Sequence, residues 1–221
     1  MSEVVESKEQ FLIRVRDQEQ RGCTFRRLRL SGLRLVGADL TDVTFDACDL
    51  DGMTLTGANL TRASFSRVDL RRTVIDRGVF KRTTFTDCNL TELDLNHSLL
   101  EDVEFVRCDM DNAILDHTYL GNCLFNPNRA YGLKLRNALL IRCRFSQDQG
   151  APELTRAQLS AAMVVESDLH GACMMRADLR EALLIKCNLH HVLLRDAQTH
   201  SSSLVGCVTQ GAELPATLSS T

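Results

Sequence analysis

Leu or Phe recurs at every fifth position of this chain, a spacing that neither an α-helix nor a plain β-strand uses. From Phe25 to Phe145, steps of five give 25 positions, of which 14 are Leu, eight Phe, one Ile (Ile75) and one Met (Met110), and only Ala130 is small. A helix would repeat apolar residues at three and four, and a strand at two. The residue two before each anchor is small or medium-sized, as in Ala38-Asp39-Leu40, Cys48-Asp49-Leu50 and Cys88-Asn89-Leu90, and the other three places are mostly polar. Two side chains of every five therefore point inward and three outward.

A second period lies on the first. Phe25, Phe45, Phe65, Phe85, Phe105, Phe125 and Phe145 are spaced by 20 residues. Twenty is four fives, so the chain reads as a coil with four short sides, stacked on itself, with Phe forming a column inside one side. Each coil buries its core only against its neighbours, as in other solenoids. Coil-to-coil backbone hydrogen bonds would repeat at the β spacing of about 4.8 Å.

The A-[D/N]-L-x-x pattern, seen in Ala38-Asp39-Leu40 and Ala58-Asn59-Leu60, resembles the pentapeptide-repeat family. The resemblance covers 21–145 and 157–209. It implies an all-β fold, a right-handed quadrilateral parallel β-helix. Residues 3–19 do not fit the fives, but their helix formers and the apolar Val4, Val5, Phe11, Leu12 and Val15 predict an amphipathic helix. The expected organisation is an N-terminal helical cap over 1–20, coils over 21–145, a protruding loop with a frame shift over 146–158, coils over 159–209 and a loosely ordered tail over 210–221. After the break the anchors resume at Leu159, one residue out of the earlier frame, and Cys187-Asn188-Leu189 echoes Cys88-Asn89-Leu90. Placing those two triplets on one side makes Val164 follow Phe145 one coil later, after 19 residues.

Eight of the nine Cys sit two before an anchor and are expected to be packing thiols; Cys173, one before Met174, is expected to face outward and react first. His97 and His117, and His170 and His190, are 20 apart and predict outward ladders. No GxSxG, Gly-rich phosphate loop, HExxH or CxxC is present. The expectation is a protein that is not an enzyme, with no cofactor, no metal and no membrane span. The acidic, polar start MSEVVESKEQ does not read as a secretory signal, which predicts a cytoplasmic location.

The net charge is only −3, so direct nucleic-acid binding is not expected. Along the chain, however, the charge alternates: residues 21–40 carry +4, 41–60 carry −4, 61–80 carry +3 and 101–120 carry −5. Two acidic bands result, around Asp49 and Asp51 and around Glu101, Asp102, Asp109 and Asp111. These, with Asp148, Gln149, Gly150, Pro152 and Glu153 of the break, are the candidate partner-binding residues. The leading expectation is a non-catalytic scaffold or adaptor that binds another protein through its rod surface. The resemblance adds that such proteins occur in bacterial effector and type VI secretion clusters. It also implies an alternative, a DNA mimic that binds DNA gyrase. Nine coils would span about 45 Å, a length over which duplex DNA carries about 26 phosphates; the bands here nearly cancel.

Overall fold

The computed structural model describes residues 3–126, 129–145 and 153–218. They form a four-sided parallel β-helix. Starting from each Phe, the chain passes through the Phe side, then a second, third and fourth side, and returns one coil further on. On the Phe side eight strands pair in parallel, with Phe45 against Phe65, Phe65 against Phe85 and Phe125 against Phe145. On the fourth side seven strands do the same, for example Leu99–Glu101 against Tyr119–Gly121. The second and third sides have single bridges instead, such as Asp49 to Asp69 and Thr54 to Val74.

The five-residue pattern has a direct physical origin. Each anchor side chain is buried in the shared core, from Phe25 to Leu204. The place two before it is also inward, and its donor reaches a carbonyl of the preceding coil. Cys48 Sγ donates to Phe25 O at 3.2 Å, Thr73 Oγ1 to Leu50 O at 2.8 Å and Cys187 Sγ to Val164 O at 3.3 Å. Cys, Thr and Ser are therefore interchangeable there, which accounts for the many thiols without any redox role. The Asp or Asn before the anchor turns the corner: Asp49 Oδ1 accepts from Asp51 N at 3.1 Å and Asn59 Oδ1 from Thr61 N at 3.1 Å.

The Phe column is continuous. Ring centroids lie 5.3 Å apart for Phe45–Phe65, 4.7 Å for Phe65–Phe85 and 4.5 Å for Phe125–Phe145, with near-parallel planes. At its open end sits the expected cap, with an addition. A two-residue strand β1 (Val4–Val5) extends the Phe-side sheet by pairing with Thr24–Phe25, and only then does helix α1 (Lys8–Asp17) begin. Ser7 caps the helix by accepting from Gln10 N. Phe11 is fully buried and meets Phe25 edge-on at 4.8 Å. The cap thus covers both the sheet edge and the core end.

Three expectations change. The break is shorter than 146–158, because Glu153 bridges to Cys173, Leu154 is buried as an anchor and Gln158 bridges to Lys134. The phase across it also differs. Leu140 pairs with Val164, a step of 24 residues, and Phe145 N donates to Asp168 O at 2.8 Å. That coil is four residues longer than the others, not one shorter, so Leu169, not Val164, follows Phe145. The tail is not loose over its described part: Glu213 bridges to Leu193, Leu218 is buried, and Thr217 Oγ1 meets Thr199 Oγ1 at 2.6 Å.

Seven thiols are buried, while Cys173 and Cys207 are partly accessible. Cys173 projects outward beside Thr155, as expected. Cys207 was expected inward with the others; it occupies an inward place, but in the last coil, where little packs above it. Burial pushes the Cys187 thiol up to about 12. A hydrogen bond with Cys88, and burial, push Cys108 up, and Cys143 and burial do the same to Cys123. A thiol reagent is expected to label Cys173 and Cys207 in the folded protein and the other seven only on unfolding. Peptide mapping that shows rapid native labelling of Cys88 or Cys108 would contradict this packing.

Candidate binding surface

The bridge columns fix the direction in which each candidate residue points. Arg29, Asp49, Asp69, Asn89, Asp109 and Arg129 form one outward column on the second side. Glu153 keeps the same register, since Lys134 on the next side pairs with Gln158. Asp51 and Asp111 lie on the second side too, two residues along. The structure therefore brings Asp49, Asp51, Asp109, Asp111 and Glu153 onto one side of the rod. Asp49 and Asp109 stand three coils, or about 14 Å, apart.

Glu101 and Asp102 do not join them. Glu101 ends a strand of the fourth side, and Asp102 turns the following corner. The second and fourth sides are opposite, so one acidic band is split between two faces. Asp148, Gln149, Gly150 and Pro152 lie outside the described residues.

Most of these carboxylates already have partners. Asp51 pairs with Arg72, Asp111 with Arg129, Glu101 with Lys81 at 3.2 Å and Asp102 with Arg82 at 4.0 Å. Elsewhere Arg107 pairs with Asp87 at 2.7 Å and Arg136 with Asp116. The alternating charge of successive coils is thus largely pairing between neighbouring coils. Glu153 Oε1 accepts from Thr155 N at 2.9 Å, a corner role like that of Asp49.

Asp42 is the clearest electrostatic case. Hydrogen bonds from Arg62 and Arg21 lower its carboxyl to about 2. A depressed carboxylate contributes stability above its unfolded value and loses it as pH falls through the folded one. Asp42→Asn is therefore expected to be slightly less stable than the parent at pH 7. The difference should fade between about pH 4 and pH 2, read from denaturation midpoints. A difference that persists unchanged at pH 2 would contradict the ion-pair assignment.

The histidine pairs form the expected ladders. The His97 and His117 rings stack at 5.1 Å, with His97 Nδ1 2.9 Å from Asp76 Oδ1. His170 and His190 lie 5.7 Å apart, and His191, which the sequence reading passed over, touches both. Among the described residues no group of three or more His, Cys, Asp or Glu has the geometry to hold a metal ion. No helix among them is long and apolar enough to cross a membrane. The concavities described are open grooves between corner side chains, such as that lined by Arg156, Arg176 and Asp196.

With this geometry in hand, the comparison with known sequences is decisive. A family model for pentapeptide repeats matches eight copies, over residues 38–77, 63–102, 88–126 and 172–208. The chain belongs to the pentapeptide-repeat family. No curated protein matches it in sequence. Among solved structures, it resembles HetL, a pentapeptide-repeat protein involved in heterocyst differentiation regulation from the cyanobacterium Nostoc sp. strain PCC 7120. The two are 19% identical, with 95% of each chain covered and a TM-score of 0.50. It also resembles full-length QnrB1, a plasmid-mediated fluoroquinolone resistance protein, at 19% identity, with 82% of this chain and 93% of that chain covered and a TM-score of 0.52. At these identities the likeness is one of fold.

Proposed function

We propose that this pentapeptide-repeat protein is a non-catalytic scaffold whose second side binds another protein. The supporting observation is the outward column in which Asp49, Asp69 and Asp109 stand in successive register, flanked by Asp51 and Asp111. A solenoid side of this kind is rigid and presents its charges at fixed intervals, so a complementary partner meets them without ordering cost. Nothing in the fold calls for a reaction. Open grooves exclude water poorly, and the polar groups near the core are occupied with corners and carbonyls.

The gyrase alternative requires an unbroken acidic face resembling a DNA strand. Arg71, Arg72 and Arg129 interrupt the second side, and Arg72 and Arg129 neutralise Asp51 and Asp111. The mixed surface favours a specific protein partner over a DNA-shaped site.

The test is affinity capture from an extract of the source cells, using the parent and a variant with Asp49, Asp69 and Asp109 changed to Asn. Asn keeps the corner hydrogen bond, as Asn59 and Asn89 do, and removes only the charge. A partner recovered by the parent and lost by the variant is expected, with purified gyrase supercoiling unaffected by either. Equal recovery by both would remove the second side from the interface, and inhibition of gyrase by the parent would favour the alternative.

A further inference from the structure

The fourth side differs from the other three in what it shows to solvent. Its first outward column runs Leu99, Tyr119, Leu139, Met163 and Leu183 over five successive coils. Its second runs Ile141, Val165, Ile185 and Val205. Tyr119, Met163 and Val205 are 36%, 43% and 45% exposed, and the others are half-buried between them. The repeat does not require this. The equivalent column of the Phe side carries Thr44, Ser64 and Thr84. Neither folding nor coil stacking accounts for nine apolar side chains on one outer face, and contiguous patches of that kind mark contact sites.

The patch is also flat. The Tyr119 ring lies back across Gly121, where an added Cβ would stand 2.9 Å from the Tyr119 hydroxyl. Along the corner beside it come Arg142, Glu166 and Lys186, alternating in sign, in successive coils. None of the three forms an ion pair among the described residues, whereas the corner positions before them, Arg62 and Arg82, do. The neighbours of the break, Phe145 and Glu153, flank a corner that does not border this side.

We propose that the fourth side is the interface of a two-fold homodimer in which two rods lie antiparallel, face to face. An axis along the strands, between the coils of Leu139 and Met163, sets Leu139 opposite Met163 of the second copy, Tyr119 opposite Leu183 and Ile141 opposite Val165. The same axis sets Arg142 opposite Glu166, and on the other corner His117 opposite Glu181. A column of alternating sign is what an antiparallel two-fold needs to complement itself, since it opposes each coil to its neighbour. This complementarity selects a second copy as the occupant.

Seven strands at about 4.8 Å, each side five residues wide at about 3.3 Å, make a face of roughly 460 Å² in plan. Side-chain relief raises this toward the roughly 800 Å² per partner of a standard interface. The dimer therefore lies at the small end of stable contacts and dissociates in the micromolar range. It leaves the second sides, on the opposite face of each rod, pointing outward.

The experiment is sedimentation velocity of the full chain over a concentration series from micromolar to several hundred micromolar. A concentration-dependent monomer–dimer equilibrium is expected, and a monomer throughout would overturn the proposal, including the case in which another protein occupies the patch. Met163→Glu is expected to weaken the dimer at least about tenfold, with the circular dichroism spectrum and melting temperature unchanged. Arg142→Glu, a corner change that spares folding, is expected to weaken it several-fold, and Arg142→Glu with Glu166→Arg to restore it. A dimer indifferent to Met163→Glu, or one that Arg142→Glu leaves intact, would overturn the arrangement.

Discussion

Phe65→Ala is expected to destabilise the protein by about 3–5 kcal/mol, the range for emptying a fully buried Phe site. Phe65 is completely inaccessible and stacks between Phe45 at 5.3 Å and Phe85 at 4.7 Å. The cavity would form in the middle of the column. Backbone hydrogen bonds fix the coil spacing, so the neighbouring rings cannot close the gap. Thr56→Ala, at an outward place on the third side, is expected to change stability by no more than about 0.5 kcal/mol. Denaturant titration measures both, and equal effects would contradict the inward and outward assignment.

Phe11→Ala is expected to cost nearly as much, about 3–4 kcal/mol, but by a different route. Phe11 is the only aromatic side chain that α1 supplies to the core, and it covers Phe25 edge-on while also approaching Phe45 at 6.1 Å. In a solenoid each coil is held by its neighbours, so loss of the cap is felt first at that end. Hydrogen exchange is expected to show Thr24–Arg26 and Thr44–Asp46 losing protection before Glu104–Val106 does. Uncovering the edge strand should also promote association. Uniform loss of protection along the rod would show that the cap is not a local device.

The architecture was legible because the core repeats. Anchors every five residues and Phe every 20 fix the number of sides, the stacking and the column, since one inward-pointing place per side is all that the coil allows. Phase across the break was not legible, for a physical reason. All four corners use the same small–Asp/Asn–anchor triplet, so Cys187-Asn188-Leu189 matches Cys88-Asn89-Leu90 although the first lies on the Phe side and the second on the second side. Local sequence identifies a corner but not which corner. The closing end was missed because Thr209 breaks the run, although Leu214 is ten residues past Leu204 and in register. β1 is too short to carry any pattern.

The candidate surface was half legible. Summing charge over 20-residue windows gives height along the rod but not direction around it. Glu101 and Asp111 share a window yet differ by ten residues, half a coil, and so point to opposite sides. The same arithmetic places Asp49 with Asp109. The apolar fourth side escaped because its Leu, Ile, Val and Met occupy outward places that the repeat elsewhere fills with polar residues, and a scan for inward anchors passes over them.

The central claim, that one side of a rigid rod carries the binding, is tested most directly by carboxyl footprinting. Asp and Glu side chains would be modified with a carbodiimide and an amine, with and without the captured partner, and mapped by mass spectrometry. The expected result is protection recurring at 20-residue intervals on the second side, at Asp49, Asp69 and Asp109, while Asp76, Asp94 and Asp178 on the third side label unchanged. Protection scattered around the coil, or confined to the third side, would contradict the claim.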